Sequence, residues 1–321
     1  MNDTVDSTVV TSALKPRAGL LTWLQLMRLP TVFTAMSNIL CGFLITHLTP
    51  RLKIDDLASQ RELWLLLAST IGLYLGGMVL NDVFDAKLDA VERPERPIPS
   101  GQISRQAAAI FGALLMLGGV LAAAFVGTPS LLVAGLIVPC VLAYNGFLKT
   151  TIAAPLGMAA CRFFNLMLGA SAVPDLQTML QATPLTVAAG LAVYILGVTV
   201  FAQNEAGKSN MGLLILGIVL VVSGIGLDAW LIGTAGATLG SINGSRMALL
   251  ILSLNLLMRA AAVIPSPQPR RIQKTVGLML LGIIFLDAIM VFAMTADAKL
   301  AALVIMLVAP ASLLRRVIPM S

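Results

Sequence analysis

The chain has 321 residues, of which 58% are hydrophobic and only 11% are charged, and its mean hydropathy is +0.93. A globule of this length cannot bury so much apolar surface, so the composition excludes an ordinary soluble protein and predicts a polytopic membrane protein. The net charge of +6 is explained by basic loops at a membrane surface, and no nucleic acid is needed as a partner.

Ten apolar segments approach the length of about twenty residues that a membrane-spanning helix needs. In chain order they cover roughly 31–48, 62–80, 106–126, 129–147, 153–173, 184–203, 211–233, 246–264, 275–294 and 298–313. The last segment is the shortest of the ten. The sequence therefore predicts an all-α, polytopic bundle of nine to ten transmembrane helices.

Lysines and arginines are distributed unevenly between the two sets of loops. If the amino terminus is cytoplasmic, the opposite side receives only Arg51, Lys53, Arg61, Arg246 and Lys299. This is the positive-inside pattern, and it predicts a cytoplasmic amino terminus in an inner (plasma) membrane. Residues 1–20 lack the apolar core of a signal peptide, so we expect them to form a cytoplasmic tail.

Acidic residues are concentrated where the second segment ends, in the sequence NDVFDAKLDAVERPERPIPSG over residues 81–101. On a helix turning about 100° per residue, Asp82 and Asp89 lie within about 20° of each other, and Asp85 lies about 60° away. Three carboxylates on one face repel each other unless a cation binds them. Mg²⁺ prefers oxygen ligands and fills its other positions with water or phosphate, so the spacing predicts a magnesium-diphosphate site.

Two further polar segments follow even-numbered spans. Tyr144, Asn145 and Lys149 follow the fourth span, and Gln203, Asn204, Glu205 and Lys208 follow the sixth. All three polar segments are therefore expected on the cytoplasmic face, above an apolar bundle. A ligand with a charged head and an apolar tail, such as a prenyl diphosphate, suits this arrangement.

These residues also carry a family resemblance. Asn81, Asp82, Asp85 and Asp89, followed by Arg93 and the sequence RPIPSG from Arg96, resemble the first aspartate-rich motif of the UbiA superfamily of intramembrane prenyltransferases. Arg28-Leu29-Pro30, and Tyr144 with Lys149, are similar to other parts of that family, and its EboC-like branch is the most similar. The resemblance implies about nine helices around a central cavity, with residues 21–318 as the prenyltransferase domain.

One segment departs from the family pattern. The family usually carries a second DxxxD-like motif after the sixth span, whereas this chain has FAQNEAGKSN over residues 201–210, with Glu205 as its sole carboxylate. We therefore expect one bound Mg²⁺, with lysine and arginine contacts to the phosphates in place of a second ion.

The resemblance and the spacing together assign roles to individual residues. Asp82, Asp85 and Asp89 are the predicted metal ligands, and Asn81 is a nearby ligand or an orienting amide. Lys149, Arg96 and Lys208 are expected to hold diphosphate oxygens, although each is also placed as a basic anchor at a helix end. The catalytic candidates are Lys149, Arg162 and Glu205.

Arg162 lies inside the fifth span, where a charged side chain normally faces the bundle interior. Three partners remain open for it: the diphosphate, the acceptor, or an internal carboxylate such as Glu205 or Asp287.

Three functional classes are compatible with these patterns. The first is Mg²⁺-dependent transfer of a prenyl group from a prenyl diphosphate to an unknown small-molecule acceptor that is accessible from the membrane lipid. The second is a binding or carrier protein that keeps the pocket without efficient turnover, because the second acidic motif is missing. The third is a secondary transporter, suggested by the intramembrane Arg162 and Asp287.

Overall fold

The computed structural model describes residues 19–48, 52–203, 210–234 and 239–317, without the side chains of residues 239–240 and 315–317. These ranges contain thirteen α-helices: α1 (Leu20–Leu26), α2 (Phe33–Thr46), α3 (Arg61–Glu92), α4 (Arg105–Ala124), α5 (Thr128–Gly146), α6 (Ala154–Gly169), α7 (Leu176–Met179), α8 (Ala182–Ala202), α9 (Met211–Thr234), α10 (Leu239–Ala261), α11 (Pro269–Thr295), α12 (Ala298–Ile305) and α13 (Val308–Val317).

Eight helices in the described part of the chain are long and apolar enough to cross a membrane. They are α2 with the short turn before it, α3, α4, α5, α8, α9, α10 and α11. The shorter α6 has 16 residues, so it is about 24 Å long at 1.5 Å per residue, and it packs between α5, α8 and α2. Nine of the ten predicted segments therefore correspond to single helices of an all-α membrane bundle.

The tenth predicted segment is wrong as a single span, because it divides into α12 and α13. A turn at Met306 and Leu307 separates the two helices. Pro310 has no N–H to donate to the carbonyl of Met306, which accepts instead from the backbone N–H of Ala309 at 3.2 Å. The regular hydrogen-bond ladder is therefore interrupted where the apolar pattern alone continues.

Helix α2 lies inside the bundle and packs against α3, α6, α8 and α11. The neighbouring α3 and α4 form a closely packed antiparallel pair. A Cβ atom at Gly72 would lie 2.6 Å from the carbonyl oxygen of Leu115, and one at Gly76 would lie 2.7 Å from that of Gly112. The two helix backbones approach this closely only because these positions lack side chains.

Helix α3 continues to Glu92, twelve residues past the end of the predicted second span. A second apolar cluster supports this extension, in which Ile98 and Ile103 of the following turn pack with Val79, Val83 and Leu26. The turn is closed by a 3.0 Å hydrogen bond from the N–H of Ile103 to the carbonyl of Pro97. The acidic residues are thereby held on a regular helix beneath a folded turn.

Candidate active site

A cavity of about 210 Å³ opens between α3, α5 and α6, next to Arg28 in the turn after α1. Its walls are mostly apolar. Amides and an arginine lie at the mouth, and a second arginine and amide lie deeper in the bundle. The lining residues are Arg28, Leu73, Tyr74, Gly77, Met78, Asn81, Ile137, Val141, Tyr144, Asn145, Met158, Cys161, Arg162 and Asn165. Such a cavity suits a largely apolar ligand that is oriented by a few polar contacts.

The three aspartates at the end of α3 are all paired with cations, and we call these six side chains the carboxylate rim. Its members are Asp82, Asp85, Asp89, Arg28, Arg96 and Lys149. The carboxylates and cations balance one to one, so the rim is close to neutral without a ligand.

Asp89 and Arg96 form the most enclosed pair of the rim. Arg96 donates to Asp89 Oδ2 at 2.7 Å, and each side chain is only 4% exposed. The same guanidinium lies 3.7 Å from Asp82, which confirms that Asp82 and Asp89 face the same way on α3. This pair fixes the turn over the helix, because a buried guanidinium needs its carboxylate nearby.

The other two pairs lie closer to solvent. Arg28 donates to Asp82 Oδ1 at 2.8 Å, and Lys149 Nζ lies 2.5 Å from Asp85 Oδ1. The exposed fractions of the cation side chains are 26% for Arg28 and 18% for Lys149. Both pairs are therefore less enclosed than the Asp89–Arg96 pair.

Arg28 adopts a left-handed backbone conformation, with φ 47° and ψ 45°. This conformation is unfavourable for a residue with a Cβ atom, and such strain is concentrated at functional sites. The strained turn aims the guanidinium at Asp82, 54 residues further along the chain.

Two amides join α3 to α5 at the cavity mouth. Asn81 donates to Asn145 Oδ1 at 2.9 Å, and Asn145 donates in turn to the carbonyl of Gly77 at 3.0 Å. Together with the Asp85–Lys149 pair, these bonds confirm that the polar ends of the second and fourth spans meet.

Deeper in the bundle lies a second set of polar side chains, which we call the polar core. Its members are Thr34, Ser37, Asn38, Thr70, Arg162, Asn165 and Asp287. Arg162 donates to Asn38 Oδ1 at 3.1 Å and to Thr34 Oγ1 at 2.9 Å. Asn38 donates to Asp287 Oδ2 at 2.7 Å, so Arg162 and Asp287 are linked through one amide.

The donor set at the mouth fits Mg²⁺, which binds proteins through one or two carboxylates and otherwise through water and phosphate. Asp82 and Asp85 are one helical turn apart, and their cation partners are partly exposed. Within the described residues, no three acidic, histidine or cysteine side chains come close enough together to enclose a metal ion. Asp89 has a buried partner of its own, and its assignment as a metal ligand stays a prediction.

Several candidates from the sequence have a definite place in the structure. Arg162 lines the inner end of the cavity, whereas Glu205 and Lys208 lie outside the described residues. Tyr74 and Tyr144 line the cavity, whereas Phe84 of α3 is 44% exposed and does not line it.

Sequence reasoning assigned no bridging role to Asn145 or Asn38 and gave Arg28 no partner. The only local signal was a polar residue inside, or at the end of, an apolar segment.

Eight apolar helices long enough to cross a membrane, packed around a cavity with a charged mouth, define the class of this protein as an integral membrane protein. The chain belongs to the UbiA prenyltransferase family, whose sequence profile matches residues 35–265.

Curated relatives match a shorter region. The digeranylgeranylglyceryl phosphate synthase of Methanocaldococcus jannaschii is 33% identical over 105 residues, which are 33% of this chain and 35% of the relative. The enzyme of the same name from Saccharolobus solfataricus is 36% identical over 102 residues, which are 31% and 33% of the two chains. The chain thus spans about a third or less of the length of the curated relatives it matches.

Solved structures show the same fold at low sequence identity. A digeranylgeranylglyceryl phosphate synthase structure has a TM-score of 0.65 and 18% identity, and the match covers 86% of this chain and 98% of the other. A UbiA homologue from Archaeoglobus fulgidus, bound to GPP and Mg²⁺, has a TM-score of 0.56 and 15% identity, with 86% and 100% covered.

Proposed function

We propose that this protein transfers a prenyl group from a prenyl diphosphate to a small-molecule acceptor, in a Mg²⁺-dependent reaction at the cavity described above. The observation that carries the proposal is the carboxylate rim, which sets three acids and three cations at the mouth of an apolar cavity. A diphosphate with its cation needs both signs of charge there, and a prenyl tail needs the apolar walls. The solved relative bound to GPP and Mg²⁺ supports the same ligand class.

The rim provides a way to exchange partners when the donor binds. Asp82 and Asp85 give up Arg28 and Lys149, and those two cations become free to contact phosphate oxygens. Asp82 and Asp85 would hold a Mg²⁺ ion, which would neutralise charge on the diphosphate and so make it a better leaving group. The chain's own contribution is to hold the phosphate oxygens by charge, with Asn81 and Asn145 keeping α3 and α5 at a fixed spacing.

The cavity walls exclude water from the allylic carbon as the carbon–oxygen bond to the diphosphate breaks. Tyr74 and Tyr144 line the cavity, and the negative faces of such rings stabilise a developing cation. The acceptor's nucleophilic atom then forms the new bond to this carbon, and the acceptor loses a proton. No serine, cysteine or histidine nucleophile is needed for this chemistry.

The finer location follows from the distribution of basic residues. We place the amino terminus and the carboxylate rim on the cytoplasmic side of an inner (plasma) membrane, according to the positive-inside rule. Glu205 and Lys208 remain candidates for the donor site. Membership of the EboC-like branch also stays a prediction.

The test combines Asp82→Asn with chelation of divalent ions. Purified protein in detergent is assayed for binding of geranyl diphosphate and for its consumption, with and without Mg²⁺. We expect binding to require Mg²⁺, and we expect Asp82→Asn to reduce turnover by about 10²–10³-fold, as for other groups that stabilise charge in a transition state.

A matched control is Asp55→Asn, the same chemical change at an exposed aspartate that precedes the first residue of α3. Asp55 therefore lies at the opposite end of this helix from Asp82. This variant is expected to behave as wild type. Equal binding and turnover after Asp82→Asn and after chelation would exclude the proposed metal role.

A carrier of prenyl diphosphates is the second candidate function. It is motivated by the missing second acidic motif, since residues 201–210 carry Glu205 as their sole carboxylate. Tight Mg²⁺-dependent binding of geranyl diphosphate, with no product across a broad set of acceptors, is the result that selects this alternative.

A further inference from the structure

A second cavity, of about 480 Å³, lies at the end of the bundle opposite the carboxylate rim, and we call it the distal cavity. It is bounded by the ends of α2 and α11, the start of α12 and the segment that leads to α3. Helix α2 leads from the turn after Arg28 to His47, and its 14 residues span about 21 Å. The distal cavity shares no lining residue with the central cavity, so it is a separate site.

The distal cavity lies at the depth expected for lipid headgroups. The membrane span that contains α2 ends at Thr46, and the span formed by α11 ends at Thr295. His47 and Lys53 follow the first of these ends, Lys299 follows the second, and all three line the cavity. Its polar wall is therefore built from residues just outside two adjacent membrane spans.

The two lysines of this wall carry charge that the protein does not neutralise by contact. Neither Lys53 nor Lys299 forms an ion pair within the described residues. Among the described residues of the wall, Asp297 is the one carboxylate, and its Oδ1 accepts from the backbone N–H groups of Lys299 at 2.8 Å and Leu300 at 3.4 Å. Asp56 is engaged in the same way, since its Oδ2 accepts from the backbone N–H of Lys53 at 2.8 Å. Positive charge in the cavity is therefore available to an anionic ligand.

The position of these lysines differs from the general distribution of charge. The membrane side opposite the rim is expected to carry only five basic residues, and Lys53 and Lys299 are two of them. They come from opposite ends of the chain and meet because α2 packs against α11. Since the positive-inside rule disfavours lysines on this side, their convergence on one cavity indicates a specific role.

We propose that the distal cavity binds the phosphate of an anionic phospholipid from the leaflet opposite the rim, with Lys53 and Lys299 against the phosphate oxygens. The ammonium group of lysine binds phosphate as a point charge, and basic pockets between membrane helices bind lipid headgroups in this way. Leu44, Leu52 and Leu300 line the same cavity and provide an apolar wall for the first part of the acyl chains. The inference goes beyond the proposed function and does not depend on the donor or the acceptor.

The wall of the distal cavity is held in place by its own contacts. The ring of His47 stacks on Phe43, with ring centres 4.1 Å apart, and its Nδ1 lies 2.8 Å from the carbonyl oxygen of Phe43. Ala296, in the turn between α11 and α12, has a left-handed backbone with φ 55° and ψ 20°. A lipid bound here bridges this turn, the end of α2 and the segment before α3, and it stabilises the folded state by mass action.

The test compares two lipids with the same acyl chains, dioleoyl phosphatidylglycerol and dioleoyl phosphatidylcholine. Each is titrated into the purified full-length protein in detergent, and binding is measured by native mass spectrometry. Both contain a phosphate, but the positive group of phosphatidylcholine cancels its charge. We expect the wild type to bind the first phosphatidylglycerol at least about tenfold more tightly, since one lysine near a lipid surface contributes about fivefold. The double variant Lys53→Gln with Lys299→Gln is expected to lose most of this preference.

The matched control is Lys87→Gln with Lys274→Gln, which removes two exposed lysines from the opposite end of the bundle. It changes the net charge of the protein by the same amount and is expected to keep the preference. An equal loss in both double variants would overturn the proposal, because general attraction between the protein and an anionic lipid would then explain the binding. Equal affinity of the wild type for the two lipids would also overturn it.

Inorganic phosphate distinguishes a lipid from a soluble anion. It lacks the acyl chains that contact the leucines, so we expect it not to displace phosphatidylglycerol at equal concentration. Such displacement would overturn the assignment to a lipid. Thermal unfolding provides a second measurement: phosphatidylglycerol is expected to raise the midpoint temperature of the wild type more than phosphatidylcholine does. Persistence of this difference in Lys53→Gln with Lys299→Gln would contradict the role of the two lysines.

Discussion

The carboxylate rim and the polar core hold charge in two different ways. In the rim, each carboxylate contacts a cation directly, at 2.5–2.8 Å. In the polar core, Arg162 and Asp287 are kept apart by the amide of Asn38. Direct pairs near solvent suit exchange for ligand contacts, whereas Arg162 and Asp287 are held inside the bundle by hydrogen bonds to neutral groups.

The three ion pairs of the rim differ in exposure. This difference distinguishes the pairs that suit ligand binding from the pair that stabilises the fold. The Asp89–Arg96 pair is almost fully enclosed, whereas the Asp85 and Lys149 side chains are 20% and 18% exposed. The exposed pairs suit ligand exchange, and the enclosed pair holds the turn that covers α3.

The largest expected effect on stability is that of Asp89→Asn. Removing the nearest partner of a buried arginine costs up to about 3–5 kcal/mol, because Asp82 at 3.7 Å compensates the charge of Arg96 less well than Asp89 at 2.7 Å does. Asp85→Asn, the same change at a partly exposed pair, is expected to cost about 1 kcal/mol or less. The free energy of unfolding, measured by detergent titration in mixed micelles, compares the two. Equal losses would show that the rim acts as one unit.

A smaller loss is expected from Asn38→Ala in the polar core. This change removes one hydrogen bond from each of the two charged side chains, leaving Thr34 to Arg162 and Ser37 to Asp287, at a cost of about 1–3 kcal/mol. Asn255→Ala, at an exposed amide on α10, is expected to stay within about 0.5 kcal/mol of the wild type. The free energy of unfolding is measured in the same way. If Asn38→Ala has the wild-type value, the amide is not the link between the two charges.

The smallest effect concerns Asp228, an acid on α9 that is 1% exposed. Neither of its carboxylate oxygens has a hydrogen-bond partner within the described part of the chain. Asp228→Asn is expected to raise the free energy of unfolding by about 1 kcal/mol, since an amide brings no charge into the interior.

Asp287→Asn provides the opposite case for the same chemical change. Asp287 accepts bonds from Ser37 and Asn38, and hydrogen bonds to a charged group contribute about 1.5–3 kcal/mol each. We therefore expect Asp287→Asn to lower stability in the unfolding titration that shows Asp228→Asn raising it. A change of the same sign in both variants would contradict the distinction between a satisfied and an unsatisfied buried acid.

Much of the fold was predictable, because apolar length is a local property of the sequence. Nine of the ten predicted segments correspond to single helices, although α3 extends twelve residues past its predicted end, and the failure at the tenth has a local cause in Pro310. The acidic face of α3 was also predictable, since Asp82, Asp85 and Asp89 are positioned by helical periodicity alone. Glu205 and Lys208 lie outside the described residues, so their roles stay predictions.

The amino-acid sequence by itself determined that this is a helical membrane protein with an acidic, family-specific motif at the end of one span. The tertiary structure decided the partners: Arg28 reaches Asp82 across 54 residues, and Asn38 joins Arg162 and Asp287 across 124 and 249 residues. Periodicity fixes which way a side chain faces on its own helix. Which charge it contacts depends on how the helices pack. A local pattern carries no information about the distance between side chains on different helices.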